Sequence, residues 1–598
     1  MSRAGAVVCV PRIEQQQHLH ERGFDMRPVT LMAAIGALLM GVSCCPAAEQ
    51  PTAAAPEAAL STMPGMAHLP ATAAEWAHGA MLFAGLGKVH RAITTDSPDA
   101  QRYFDQGMTL MWGFNHDEAT RSFARAAQLD PHCAACYWGV SLTVGPNYNL
   151  PFLSAERAVV AYEALKKAQA EAARASAVEQ ALITALSYRY PGPSALDPAS
   201  ALPVQTGYAE AMARVASRFP DDLDVRTLYA ESMMNLRAWK LWAPDGAPAP
   251  GTAQIVATLE SVLASDPEHP GANHYYVHAL EASAHPEKAV ASAERLRDLV
   301  PGAGHLVHMP AHIFQRIGRY EDAAEANRRA VAADQRYAEL ATPPDYYPVM
   351  YTAHNFQFLA YSTAMEGRRA ETISAVDRSR SVVSDAMLLE MPGTDWYVAE
   401  CYTARVRFGL WDELLAMRAP DRRLPGLLAG YLFGRAMAQA ATGRLADARE
   451  TLGELTAFVA TLAADVGAGQ NALKDVMAIA IPTIEARIAS AEGRVQDELA
   501  CLRKAVTAED QIAYDEPKNW FVPSRHVLGA ALLRTGAAPE AEAVYREDLH
   551  QNPDNGWALY GLQVALERQG KRAAAAATAS EYRKAWQHAD VRLTTSAF

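Results

Sequence analysis

The sequence predicts an all-α protein built as a repeat array of helical hairpins. Three observations lead there. At 598 residues the chain is too long for one compact core, so an elongated array or several domains is required. Alanine dominates a composition that is 50% hydrophobic and only 20% charged, with few alternating β-branched runs, which favours helix over sheet. Finally, residue patterns recur at about thirty-four positions, the length of one helix-turn-helix unit. No sheet is expected.

Residues 1–45 read as an export signal. From Met26 the sequence runs MRPVTLMAAIGALLMGVSCCPAAEQ, with one arginine, an apolar stretch over residues 31–42, then small residues and two cysteines. The stretch has the length of a secretory core and is short for a permanent membrane span. Met26 is the expected natural start, since the residues before it are polar and irregular. The run GVSC ending at Cys44 is similar to a bacterial lipobox, with Gly41 where leucine is usual. Lipidation at Cys44 and plain cleavage near Ala47 or Ala48 both stay open, and either places the protein in the periplasm or at the cell envelope. Residues 46–77, rich in Ala, Pro and Thr without an apolar period, read as a tether.

The N-terminal repeat region, 78–268, begins with the clearest unit. Residues 100–133 carry Gly107, Ala119, Phe123, Ala126 and Pro131 at places 8, 20, 24, 27 and 32 of a thirty-four-residue unit. Small residues at places 8 and 20 let two helices cross closely, the aromatic fills the space between them, and proline ends the second helix. In this pattern the segment resembles the tetratricopeptide repeat (TPR) family, and the resemblance implies a solenoid of helix-turn-helix units with a concave ligand-binding groove. A central region, 269–386, continues the array through Ala289 and Pro301, then Gly318 and Ala323, then Gly367. The C-terminal region, 387–598, continues it through Gly443, Gly493, Gly529, Gly536, Ala541, Tyr545 and Pro553. The pattern is weak over 150–221 and 387–426. An insertion around ATPPDYYPVMY is expected to form a lid over the groove, and the irregular stretch WKLWAPDGAPAPGT separates the helices of an earlier unit.

The central region holds the functional signal. His274, His278 and Glu281 lie in HYYVHALE, His305, His308 and His312 in HLVHMPAH, and His354 in HNFQFL. Spacings of three, four and seven stack side chains on one helical face. In the repeat frame they occupy places 2, 5, 9 and 12 of successive first helices, which the TPR resemblance places in the concave groove. Six of the eight histidines from His269 to His354 fall on those four places, a concentration that random placement does not give. His269 and His285 belong to loops. Helices packed about 8–10 Å apart bring such imidazoles within reach of one ion, at metal–nitrogen distances of about 2 Å.

A transition-metal site of zinc, copper or iron is therefore expected on His274, His278, His305, His308, His312 and His354. Seven candidate groups exceed one coordination sphere, so either two ions bind or some residues orient the ligands. Glu281, and Glu231 on a preceding helix, are the candidate proton-moving groups of a metal-dependent enzyme. The alternatives are a metal carrier or store, and an adaptor whose groove takes a peptide or small molecule without metal. Cys133 and Cys136 form a CxxC expected to be a local disulfide in an exported protein; with Tyr137 following, c-type haem attachment is excluded. Tyr275 and Tyr276 are expected between helices, Cys401 and Cys501 in buried positions, His526 on the surface, and the two asparagines of GPNYNLP in loop-forming turns. A net charge of −13, without clustered Lys or Arg, argues against nucleic acid. Phosphate-cradling loops, dinucleotide fingerprints, nucleophile elbows and HExxH pairs are missing.

Overall fold

A computed structural model describes residues 69–597 except 197, 244–245 and 342–345. The expectations for the export signal, Cys44 and most of the tether lie outside the described residues.

Consecutive helices fold back on one another as antiparallel hairpins along the chain, as the all-α repeat reading requires. The pairs include Pro98–Trp112 with His116–Leu129, Pro270–Leu280 with Val290–Leu299, Ala353–Met365 with Arg369–Ser381, Leu473–Ala491 with Val495–Glu509, and Gly556–Arg568 with Arg572–Ala585. Each hairpin also packs on the next, for example His116–Leu129 on Ala134–Thr143 and Tyr320–Leu340 on Ala353–Met365. The first full hairpin opens on Ser97, whose hydroxyl accepts from the Ala100 N–H at 3.2 Å, with Pro98 in the first turn. Ser176 and Glu179 form a reciprocal capping box on Ala177–Leu186.

The repeat glycines act at the hairpin turns. Gly318, Gly367, Gly443, Gly493 and Gly536 have φ between 73° and 85°, a region that disfavours any residue with a Cβ. Glycines inside helices act through contact instead. A Cβ on Gly107 or Gly139 would lie 2.6 Å or 2.5 Å from the Phe123 ring, and one on Gly529 or Gly561 would lie 2.3 Å or 2.1 Å from the Tyr545 ring. The order glycine, aromatic, glycine at intervals of 16 residues is thus the same near both ends of the array.

Three departures from the sequence reading are local. The stretch read as tether already contains a helix, Ala73–Trp76, and Trp76 is buried under the guanidinium groups of Arg121 and Arg157, each 5.7 Å from its ring. Instead of no sheet, a two-residue antiparallel pair joins Gly467–Ala468 to Asn471–Ala472, and a single bridge links Trp242 to Pro248. The segments where the repeat pattern is weak are helical too, but 385–416 is broken into short pieces. Cys133 and Cys136 are joined as a disulfide, Cys401 is buried and Cys501 is half-buried beside Glu485. No helix among the described residues is long and apolar enough to cross a membrane.

Candidate metal centre

Helical phase brings the predicted side chains together. His274 and His278 stand one turn apart on Pro270–Leu280, with Glu281 at its end; His305 and His308 lie on Gly304–His308, His312 on Pro310–Arg316, and His354 on Ala353–Met365. Two groups of three result, His274, His278, His305 and His308, His312, His354, and within each the ligand atoms lie within 4.8 Å of one another. The groups adjoin: the His278 and His312 ring centroids are 5.6 Å apart and those of His305 and His308 are 5.8 Å apart.

Most of the rings are held by one nitrogen so that the other faces inward. His274 Nδ1 lies 2.5 Å from the Trp112 carbonyl oxygen, His278 Nδ1 2.9 Å from Glu281 Oε1, and His308 Nδ1 2.7 Å from Asn327 Oδ1. His312 Nδ1 lies 2.6 Å from Glu281 Oε2 and 2.5 Å from Glu516 Oε2. The opposite nitrogens then converge, His274 Nε2 on His305 Nε2 at 3.1 Å and His308 Nε2 on His312 Nε2 at 2.6 Å, while His278 Nε2 has no partner. Anchoring one imidazole nitrogen to an oxygen acceptor fixes the tautomer and aims the other as a ligand.

Burial sets the electrostatics. Removal from water pushes His274 and His312 down to about 3, and holds His278, His305, His308 and His354 well below the ordinary imidazole range, with neighbouring imidazoles adding to the effect on these four. All six rings are therefore neutral at pH 7, the form that binds metal. Burial, and then the proximity of Glu516, raise the Glu281 carboxyl well above its usual range; burial raises Glu516 as well.

The site differs from an open trough. Apart from the half-buried His354, the seven candidates are 0–4% exposed, because aromatic side chains from elsewhere close over them. Phe114 packs on His274 at 4.5 Å, Tyr148 on His278 at 5.3 Å, Trp239 on His278 at 5.7 Å, and Tyr351 on His305 at 5.1 Å. Phe114 and Trp239 have φ of 54° and 63°, strained for a bulky side chain, and both put their rings against histidines. Tyr148 sits between the two asparagines of GPNYNLP, and Asn147 does make the expected turn, accepting from the N–H groups of Asn149 and Leu150 at 2.9 Å. In the insertion expected to be a lid, the described residues from Tyr346 onward are helical and run into the turn Pro348–Thr352, which walls the His305 side through Tyr351.

Two sequence assignments change. Glu231 is buried but paired with Asn235, near Arg189, and belongs to none of the histidine groups. In its place Glu516, from the loop between Val495–Glu509 and Ser524–Arg534, joins His278, Glu281 and His312 in a third candidate ligand set. Nothing in its AYDEPKNW context marks Glu516. His526, expected on the surface, is buried with Nε2 2.9 Å from Asp548 Oδ2, because its helix is covered by the neighbouring hairpin. Tyr275 and Tyr276 lie between helices as expected.

Fold and site together define a TPR-like helical-repeat protein enclosing a buried histidine and carboxylate cluster. No family model and no curated protein matches the chain. Among solved structures it is similar to the human IFIT1 dimer with m7Gppp-AAAA, at 11% identity over 76% of this chain and 90% of that one, with a TM-score of 0.30. Other similar structures are the APC/C hetero-tetramer Cut9–Hcn1 (12% identity, 82% and 74% covered, TM-score 0.28) and the TPR domain of P58(IPK) (13%, 79% and 99%, 0.19). Likeness at this level transfers no function, and the fold assignment stands on the hairpins themselves.

Proposed function

We propose that this chain is a metalloprotein whose helical repeats hold transition-metal ions on two adjoining triads of histidines, as the centre of a metal-dependent enzyme. The supporting observation is the close approach of His308 Nε2 and His312 Nε2. Asn327 gives its Nδ2–H to the Ala323 carbonyl at 2.7 Å, so its Oδ1 accepts from His308 Nδ1. His312 Nδ1 faces carboxylate oxygens only. With the carboxyl proton lying between Glu281 and Glu516, which hydrogen-bond to each other, both Nδ1 atoms carry hydrogen, and two Nε2 lone pairs point at each other across 2.6 Å. Such a pair repels unless a cation lies between, and an ion bonded at about 2.0–2.1 Å to each would spread the nitrogens to roughly 3.3 Å in a tetrahedral site.

Imidazoles with nearby carboxylates suit zinc, copper or iron. In this reading Glu281 and Glu516 orient His278 and His312, and a proton held on the carboxyl pair is placed beside the ligands. Export to the periplasm or cell envelope, with or without lipidation at Cys44, rests on the apolar run over residues 31–42.

Elemental analysis of the purified protein, beside a variant carrying His278→Ala and His308→Ala, tests the reading. Stoichiometric transition metal in the wild type, lost from a variant with unchanged helical circular dichroism, is the expected result. A metal-free wild type prepared from its native compartment without chelators would overturn it, leaving a peptide-binding adaptor as the use of the repeat scaffold. Metal without turnover of any added substrate would favour a carrier or store.

A further inference from the structure

We propose that the ions of this centre are copper in the cuprous state, one on each histidine triad. The inference rests on the metal reading above and adds the element and its charge.

The donors carry the first part. His274, His278 and His305 form one group of three ligand atoms and His308, His312 and His354 the other, so each triad offers imidazole nitrogen alone. Non-haem iron favours two histidines with a carboxylate, and zinc fills four places, the fourth with a protein group or water. A cuprous ion is complete with three neutral nitrogens. The set of His278, Glu281, His312 and Glu516 does contain carboxylates, but these are engaged with ring Nδ1 atoms, Glu281 with His278 at 2.9 Å and His312 at 2.6 Å, and Glu516 with His312 at 2.5 Å.

An apolar ring, in place of a fourth donor, packs on each triad. Phe114 lies 4.5 Å from the His274 ring centre and 5.7 Å from those of His278 and His305. Phe358 does the same on the other triad, 4.6 Å from His308 and His312 and 4.9 Å from His354. One phenylalanine against all three rings of each triad keeps the surroundings of both ions dry.

Charge carries the second part. Among the described residues, Glu281 and Glu516 are the charged side chains that contact the six rings, and together they supply at most two negative charges. Arg316, which donates from Nη1 to the Glu281 carbonyl at 2.5 Å, adds one positive charge. Two cuprous ions then leave one net positive charge in the enclosed centre, whereas two divalent ions leave three. The cost of burying an ion grows with the square of its charge, and the repulsion between neighbouring ions grows with the product of their charges. Both effects favour the monovalent ion, and of zinc, copper and iron only copper has a common monovalent state.

The test loads the metal-stripped full chain with cuprous copper under anaerobic conditions, in competition with the chromogenic chelator bicinchoninate. Two copper ions per chain should be retained, and roughly tenfold excess of zinc(II) or iron(II) should displace neither. Redox titration should place the bound copper at least about 59 mV above copper in free imidazole solution, which is a tenfold preference for the cuprous state. His354→Ala, at a half-buried position, should lower the capacity from two to one with unchanged helical circular dichroism, and His274→Ala should remove the other ion. Displacement by zinc or iron, a single copper in the wild type, a smaller potential shift, or full capacity in His354→Ala would each overturn the proposal and leave the protein a metalloprotein. A chain that binds none of the three metals would remove the metal reading as well, so the two failures are distinguishable.

Discussion

Asp334 carries a buried carboxyl between the Tyr347 hydroxyl, which donates to Oδ1 at 3.0 Å, and the Asn355 amide, which donates to Oδ2 at 2.8 Å. Burial outweighs these donors and pushes its pKa up to about 7. The folded protein therefore keeps a proton that the unfolded chain releases near pH 4, and the contribution to stability falls as pH rises through that window. Asp334→Asn should gain stability relative to the wild type by roughly 2–4 kcal/mol between pH 4.5 and 8, read from thermal midpoints across pH. A constant cost of the substitution cancels in that difference. A second prediction concerns Glu516, which faces His312 across 2.5 Å. Glu516→Gln should keep the fold and reduce metal affinity by about 10–100-fold in a chelator competition, the usual effect of removing a group that orients a ligand. Sequence spacing exposed the six histidines and Glu281 because they recur on local helical turns. Glu516 left no such trace, since its position depends on where a distant loop docks.

Among the helices, the glycines separate two kinds of constraint. Gly107 has no room for a side chain, with the Phe123 ring 2.6 Å from where a Cβ would sit, whereas Gly453, exposed within Leu445–Thr461, has nothing within 4 Å. Gly107→Ala should lower stability by about 1–3 kcal/mol through overpacking. Gly453→Ala should raise it by about 0.5–1 kcal/mol through a gain in helix propensity. Thermal denaturation of the two variants side by side checks both signs. Gly107 with Phe123 and Gly529 with Tyr545 carried the thirty-four-residue pattern near both ends of the array, and the structure adds that Gly139 and Gly561 close on the same two rings. Between 385 and 416, where the helices shorten, that signal fades, and only the packed structure shows how the chain continues. The strained Phe114 and Trp239 left no sequence signal either, because a positive φ at an aromatic residue is imposed by its surroundings.

Across the whole molecule, the centre ties together parts of the chain that are remote in sequence, from the Trp112 carbonyl through the histidine helices to the Glu516 loop. Ions held there would link these segments in the folded state alone. Metal in hundredfold excess over its dissociation constant should add about 2.7 kcal/mol to stability, and chelation should lower the melting temperature of the wild type but not of the His278→Ala, His308→Ala variant. Equal melting temperatures for the wild type with and without metal would count against a centre built in this way. By itself the sequence determined the helical hairpins, their turn glycines and the common face of the histidines, because these follow from periodicities within a few turns of one chain segment. Tertiary structure alone decided that this face is enclosed, that Glu516 replaces Glu231 beside it, and that the rings sort into two adjoining triads. Those features arise where loops and side chains from separate hairpins meet, and no local pattern encodes the meeting.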